Sequence, residues 1–319
     1  MSPINRLYTL VFTLLLSVNF AFSQTEEQRK YVFENNHEIE NFILSSGTTE
    51  ALSTHFHSEY TYYDIYLDTP DFLLLRTKLS LRFRKRITDD KKRPITYGFQ
   101  LKSEMDSLNS VRMEIEETEL DFYMVKSDTG WVPLPTLLDS LFEHYDKHPD
   151  QPESENIVKT IQLIESWIQF KAEGAIAPFQ RLRHLGFVIR EIQSLRPVTC
   201  GKTIRRRSHI YASAEQSEQL NLERNRKKTG DLPKFFKKNP GHNWLLESSL
   251  DLAVFYPLYT SKEHVARISE YEVENKFFQP EIGRQVLEIY EAELIAKFRA
   301  IPKMDSKYKQ AMELFGEER

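Results

Sequence analysis

Several stretches of this chain alternate with period two, and the charged member of each alternation tends to carry one sign. In a strand, residues i, i+2 and i+4 share a face. In 79–86, Leu-Ser-Leu-Arg-Phe-Arg-Lys-Arg, that rule groups Arg82, Arg84 and Arg86 against Leu81 and Phe83. In 267–275 it aligns Glu270, Glu272 and Glu274 opposite Tyr271 and Val273, and in 245–252 it sets Glu247, Ser249 and Asp251 against Leu246, Leu250 and Leu252. In 111–117 Arg112, Glu114 and Glu116 fall together, and Lys102 lies opposite Phe99 and Leu101. A polar face turned to water is the ordinary antiparallel arrangement. Like charges side by side on a sheet repel, however, so an exposed face more usually mixes signs. A sheet closed into a barrel with a polar interior accounts for the segregation, one wall supplying Arg and Lys and the other carboxylates.

The rest of the pattern fits such a barrel. Strand candidates occur at 28–34, 60–67, 79–86, 97–104, 111–120, 202–212, 243–255 and 267–276. Asp68-Thr69-Pro70, Asp89-Asp90 and Pro94 punctuate them as turns. Helical spacing appears at 37–53, with Ile39, Phe42 and Ile43 on one face, and within 134–195 (158–171 and 179–192) after the acidic loop 148–156. It returns at 280–314. The expected fold is α+β: an eight-stranded antiparallel β-barrel over residues 24–280, a helical insertion over about 134–195, and a helical segment over 281–319.

The chain has 319 residues, 28% charged and 40% hydrophobic, which is enough for a sizeable core. Its formal net charge of −4 offers no global basic field to nucleic acid. The basic loop 223–242, with Lys227, Lys228, Lys237 and Lys238, reads as a solvated segment or a contact for anionic partners. Cys200 has no second cysteine to pair with, so the fold must hold by its core, and a packed thiol is expected there. His55 and His57 share strand parity without a third ligand, which does not make a zinc site. There is no phosphate-binding glycine loop of the Walker type and no nucleophile elbow. Residues 1–23 have the build of a secretory signal peptide: Arg6, the apolar run Leu7 to Phe20, and small residues at Ala21 and Ser23. The apolar run is short and interrupted for a membrane anchor. The expectation is export to the periplasm or beyond, with no membrane-spanning segment after cleavage.

The charged faces suggest a chemistry. Arginine pairs phosphate oxygens bidentately and lysine adds a point charge. Carboxylates hold Mg²⁺ or Mn²⁺, which bridges phosphate oxygens. At 62–86 the sequence YYDIYLDTPDFLLLRTKLSLRFRKR resembles the CYTH signature, in which a strand ending in an aspartate–threonine–proline–aspartate turn leads to a small helix and an L-x-L-R-x-R strand. The following elements arrive in that family's order: QLKSE with Lys102, RMEIEE with Arg112, Glu114 and Glu116, the basic strand KTIRRRSHIY, LDLAVF with Asp251, and EYEVE at the end. The chain is thus similar to the CYTH-like triphosphate tunnel superfamily over roughly residues 26–280.

That resemblance implies a tunnel in which Lys30, Arg82, Arg84, Lys102, Arg112, Arg205 and Arg207 grip a phosphate chain. It further implies that Glu26, Glu114, Glu116, Asp251, Glu270, Glu272 and Glu274 hold Mg²⁺ or Mn²⁺. The catalytic set would be Lys30, Arg82, Arg84 and Glu116. The run 205–207 is basic on both faces, so spacing alone does not choose between Arg206 and its neighbours. The family's first-strand E-x-E-x-K has its counterpart in Glu26, Gln28 and Lys30, a glutamine replacing the second glutamate; Glu38-Ile39-Glu40 is the alternative placement. Reactions on this fold include inorganic and thiamine triphosphatase, nucleotide cyclase and polyphosphate synthesis. The substrate expected here is inorganic triphosphate or an organic polyphosphate. A non-catalytic polyphosphate-binding module is the alternative that Gln28 favours.

Overall fold

The computed structural model describes residues 24–44, 52–88, 94–103, 111–148, 154–212, 244–258, 265–275 and 280–316. Residues 1–23, expected above to be a signal peptide, the basic loop 223–242 and most of the acidic loop 148–156 lie outside the described residues, as do the side chains of 24–27 and 111–117.

The frame is a set of antiparallel strands: β1 (Gln24–Val32), β2 (Leu52–Asp68), β3 (Leu79–Ile87), β4 (Ile95–Ser103), β5 (Val111–Glu119), β8 (Arg196–Ala212), β9 (Trp244–Pro257) and β10 (Ala266–Asn275). They adjoin in the order β10-β9-β8-β2-β3-β4-β5-β1, and β1 also pairs with β10. The two contacts of β1 divide along its length: Gln24 to Glu27 pair with β5, and Gln28 to Tyr31 with β10. One strand thus bridges the two ends of the sheet and turns it into a tunnel of eight strands. A small hairpin, β6 (Met124–Ser127) with β7 (Gly130–Pro133), stands outside this frame.

Two strands run longer than their sequence pattern predicts. β2 begins at Leu52 rather than at 60, and β8 begins at Arg196 rather than at 202. Each compensates the other, pairing from Leu52↔Ala212 to Asp68↔Arg196. Correspondingly the first helix, α1 (Asn36–Leu44), is shorter than the expected 37–53. Gly201 on β8 lies opposite Phe255 on β9, and a Cβ there would fall 2.3 Å from the Phe255 ring. The residue must be glycine for that ring to lie across the strand.

Helices cover the apolar outer face in separate groups. The insertion comprises α3 (Leu134–Lys147), α4 (Glu155–Lys171), α5 (Ala177–His184) and α6 (Ile189–Gln193). Leu138, Ile164, Trp167 and Phe179 from these helices pack on Ile65, Leu81, Phe83 and Phe99 of the sheet. Trp167 meets Phe83 and Phe99 edge-on, with centroids 5.8 and 6.2 Å apart. Ile39, Phe42 and Ile43 of α1 join Val286, Leu287 and Tyr290 of α7 (Pro280–Phe298) over Tyr271, Val273 and Leu250.

The continuous C-terminal helix expected over 280–314 is instead broken. Arg299 has φ 53, Ile301–Pro302 forms a two-residue strand β11 against β1, and α8 (Lys307–Leu314) follows. Pro302 cannot donate within a helix, and the left-handed Arg299 ends α7. The Lys303 backbone N–H then donates to the Lys30 carbonyl oxygen at 2.8 Å, which leads the chain to the tunnel mouth. There α8 packs Tyr308, Ala311, Met312 and Phe315 against Tyr66, Ala253, Phe255 and Ile268. The last segment therefore packs on inward-facing residues at one end of the tunnel and is not an appendage.

The turn after β2 shows why the Asp-Thr-Pro-Asp sequence has the form it has. The buried Asp68 carboxylate accepts hydrogen bonds from the backbone N–H groups of Thr69, Leu74 and Leu75 at 2.7, 2.8 and 3.0 Å. It thereby satisfies the free donors of the short helix α2 (Leu73–Arg76). Its second oxygen also accepts from the Tyr308 hydroxyl at 2.8 Å, tying this turn to α8.

Candidate phosphate-chain tunnel

Parity and register place the polar side chains inside. On β2 and β3, Tyr66 lies opposite Arg82 and Asp64 opposite Arg84. Arg84 donates from Nε and a terminal nitrogen to the two oxygens of Asp64, both at 2.7 Å, and its guanidinium lies 4.2 Å from the centroid of the Tyr62 ring. Arg82 donates to Gln100 Oε1 at 3.1 and 2.9 Å and to the Tyr66 hydroxyl at 3.0 Å, and stands 3.5 Å from Asp64. Burial alone would raise the Asp64 carboxyl, but Arg82 and Arg84 outweigh it and hold the group below its ordinary value.

Across the lumen, Glu270 pairs in register with Asp251, and Lys30 with Glu272. Lys30 Nζ lies 3.0 Å from Glu270 and 3.4 Å from Glu272. Arg205 forks onto Asp251 at 2.7 and 2.5 Å and reaches Glu272 at 2.6 Å. From α8, Lys307 Nζ sits 2.6, 2.7 and 3.1 Å from Glu270, Asp251 and Glu272, and Gln310 donates to the other Glu270 oxygen at 2.9 Å. Burial would raise Glu272 and Asp251. Lys307, Arg205 and Lys30 hold Glu272 well below the usual carboxylate range, while Arg205 and Lys307 hold Asp251 below it. Burial likewise works against the Lys307 charge, and the three carboxylates overcome it to raise that ammonium.

The sequence-derived site residues divide into three groups. Lys30, Arg82, Arg84, Lys102, Arg205, Glu272 and Glu274 converge on one cavity, together with Gln28. Asp251 and Glu270 lie buried in its wall, at 1% and 0% exposure. Arg207 also points inward but pairs with Glu247, while Arg206 faces outward to Glu40 and Glu59. For Glu26, Arg112, Glu114 and Glu116 only the backbone register is described: Glu26 stands opposite Arg112, Glu114 opposite Lys102 and Glu116 opposite Leu101.

The expected division into one basic and one acidic wall is corrected by these contacts. Cations and carboxylates interleave, because a buried charge without a counter-charge is far costlier than a paired one. Pairing also fills the lumen: its free volume is about 40 Å³, room for only a few water molecules. Any ligand larger than a few waters would have to displace existing ion pairs to enter.

Sequence reasoning missed Asp64, Tyr62, Tyr66 and Gln100. Their signal was present, since Tyr62, Asp64 and Tyr66 alternate in β2 and Gln100 shares parity with Lys102. Lys307 and Gln310 had none, because α8 reaches the lumen only through tertiary packing. The expected packed thiol is found at Cys200, which is buried and has its thiol pushed up by desolvation. The His57 ring stacks on that of His209, with centroids 4.2 Å apart.

Among the described residues, one acidic group has the spacing of a metal site: Asp251, Glu270 and Glu272 offer one oxygen each within 4.8 Å of one another. Carboxylate oxygens suit hard divalent cations, and this trio already holds a cation, the Lys307 ammonium. The donor set therefore fits a hard divalent cation in kind.

The sequence matches the CYTH domain family over residues 24–297. No curated protein matches it. Similar solved structures include a candidate adenylate cyclase of Bacillus halodurans, with 14% identity, TM-score 0.41, and coverage of 90% of this chain and 97% of that one. The PH1819 protein of Pyrococcus horikoshii is similar with 12% identity, TM-score 0.40 and coverage of 90% and 98%. HpAC1 of Hippeastrum, a candidate adenylyl cyclase with a dominant triphosphatase activity, has 15% identity, TM-score 0.39 and coverage of 91% and 96%. With the family match spanning most of its length and its charged strands lining one tunnel, the chain belongs to the CYTH domain family.

Proposed function

We propose that this protein binds a phosphate chain in its tunnel and hydrolyses a phosphoanhydride bond of inorganic triphosphate or an organic triphosphate, with Mg²⁺ or Mn²⁺. The observation that carries this reading is the convergence of Lys30, Arg82, Arg84, Lys102, Arg205 and Lys307 on one lumen. A polyanion exchanges protein carboxylates for phosphate oxygens on the same arginine forks, so the geometry of Arg84 on Asp64 is the geometry it would use on phosphate. Arg82, anchored by Gln100 and Tyr66, presents its charge beside it. Asp251, Glu270, Glu272 and Glu274 would hold the metal, with Glu26, Glu114 and Glu116 as further carboxylates of the motif. Such an ion supplies charge neutralisation on the phosphates and a more acidic water. In hydrolysis the water oxygen bonds to a terminal phosphorus, the bridging P–O bond breaks, and a proton passes to solvent or a nearby carboxylate.

A second reading is a tunnel that binds polyphosphate without turnover. Gln28 favours it, because it stands in the first-strand motif and lines the cavity as a neutral amide instead of a carboxylate. Phosphate release from triphosphate with Mg²⁺ or Mn²⁺ separates the two. Hydrolysis that disappears in Arg82→Ala/Arg84→Ala supports the first reading. Calorimetric binding without release at any pH from mildly acidic to alkaline supports the second and removes the hydrolase. A secreted or periplasmic location, from residues 1–23, belongs to the same proposal.

A further inference from the structure

Outside the tunnel, three large aromatic side chains stand in water close together. Phe122 precedes β6, Trp131 lies on β7 and Phe170 lies in the last turn of α4; they are 89, 65 and 75% exposed. A single exposed aromatic is ordinary, but a contiguous group of them marks a contact or a ligand. These three line one cavity of about 550 Å³, formed by the β6–β7 hairpin and the C-terminal end of α4. That size falls within the range of about 300–1,000 Å³ typical of small-molecule sites.

The cavity has a fixed apolar floor and a cationic rim. Trp167 and Val125 are buried and belong both to its lining and to the core. The Trp167 ring meets Tyr123 edge-on at 5.6 Å and also packs on Phe83 and Phe99. Phe83 alternates with Arg82 and Arg84, which line the tunnel, so the cavity stands on the opposite face of the sheet. The charged residues of its lining are Lys126 and Lys171, both cations, and among the described residues neither is in an ion pair. The Lys171 ammonium lies 4.8 Å from the centroid of the Phe170 ring, beside the apolar wall. Lys126 stands opposite Trp131 in the hairpin register and so shares its face.

This lining selects its occupant. An aromatic wall with two unpaired cations complements a molecule with a hydrocarbon body and one anionic end. A second copy of the chain on the same patch would set lysine against lysine, because a two-fold interface presents the same patch from both sides. A flat membrane surface resting on the exposed rim would leave the buried floor at Trp167 unfilled.

We propose that the helical insertion carries a binding site for a single-chain anionic amphiphile of the fatty-acid class, its chain lying over Trp167 and Val125 and its carboxylate meeting Lys126 and Lys171. No residue of the tunnel takes part, so the site stands whether or not the tunnel binds or hydrolyses triphosphate.

The test is quenching of the intrinsic tryptophan fluorescence of the full protein by ω-bromododecanoate below its micelle concentration, since bromine quenches an indole only near contact. Saturable quenching is expected. Dodecanoate should reverse it, and octanoate should do so at least about tenfold more weakly, because each buried methylene adds to the transfer free energy. Dodecyltrimethylammonium, with the same chain and the opposite charge, should not reverse it at matched concentration. Lys126→Gln/Lys171→Gln should weaken binding at least about fivefold and Phe122→Ser/Phe170→Ser at least about tenfold, by loss of the charge pairing and of the apolar wall. Melting temperatures should be unchanged, as all four side chains are wholly or partly exposed. The proposal is overturned by the absence of saturable quenching, by reversal with the cationic chain as effective as with dodecanoate, or by unchanged affinity in both double variants. A response to vesicles of anionic phospholipid with none to the monomeric acid overturns it too, and makes this face a membrane contact instead.

Discussion

Replacing Glu272 by Gln separates the two roles that the lumen charges combine. Glu272 is buried, with Arg205 at 2.6 Å, Lys307 at 3.1 Å and Lys30 at 3.4 Å. The amide keeps the shape but removes one negative charge, leaving three cations against two carboxylates in a poorly solvated space. Breaking a buried ion pair by neutralising one partner costs about 3–5 kcal/mol. Unfolding entropy of about 2.1 cal/mol/K per residue amounts to roughly 0.7 kcal/mol/K for a chain of this length, so the melting temperature should fall by about 4–7 °C. The surplus positive charge should act oppositely on a bound polyanion. Triphosphate added without metal should raise the variant's melting temperature by more than it raises that of the unaltered protein, recovering part of the loss. Differential scanning calorimetry with and without triphosphate reads both effects. A fall of less than about 2 °C together with no extra stabilisation by triphosphate would refute the claim that these charges are coupled in one lumen.

Two further outcomes follow from the same contacts. Asp64→Asn should destabilise the fold by about 3–5 kcal/mol by leaving Arg84 and Arg82 without their carboxylate; in chemical denaturation Asp64→Asn/Arg84→Met should recover part of that loss while triphosphate affinity in calorimetry stays at least tenfold down. The pH dependence has a definite sign: Asp64, Asp251 and Glu272 have folded values held below 3.8, 3.8 and 4.5, so their contribution is fully present above about pH 5 and lost as pH falls through the folded values. Lys307, raised above 10.5, contributes fully below that pH and loses its contribution only at more alkaline pH. Melting temperatures should thus be level across neutral pH and collapse in acid below about pH 4, and a protein whose stability declines already between pH 7 and 5 would contradict this assignment.

Much of the tunnel was legible along the chain because strand geometry is a short-range rule. Arg82 and Arg84 share a face by parity alone, and so do Glu270, Glu272 and Glu274. The helix of residues 37–53 and the strand beginning at 60 were placed less well, because only the pairing of β2 with β8 decides where β2 starts. Arg205, Arg206 and Arg207 show the limit most clearly. All three are basic, and only the register with Asp251 on β9 turns Arg205 inward and Arg206 out toward Glu40 and Glu59.

By itself the sequence determined the fold class, the polar lumen and most of the charges that line it, because alternation along a strand is written in consecutive residues. The tertiary structure alone decided how those charges pair. Which carboxylate neutralises which cation depends on neighbouring strands and on the break after α7, and both are set by packing between residues far apart in the chain. So it is with Lys307: nothing near it in sequence marks it, yet it sits among Asp251, Glu270 and Glu272 because buried carboxylates need a counter-charge and α8 carries one to them.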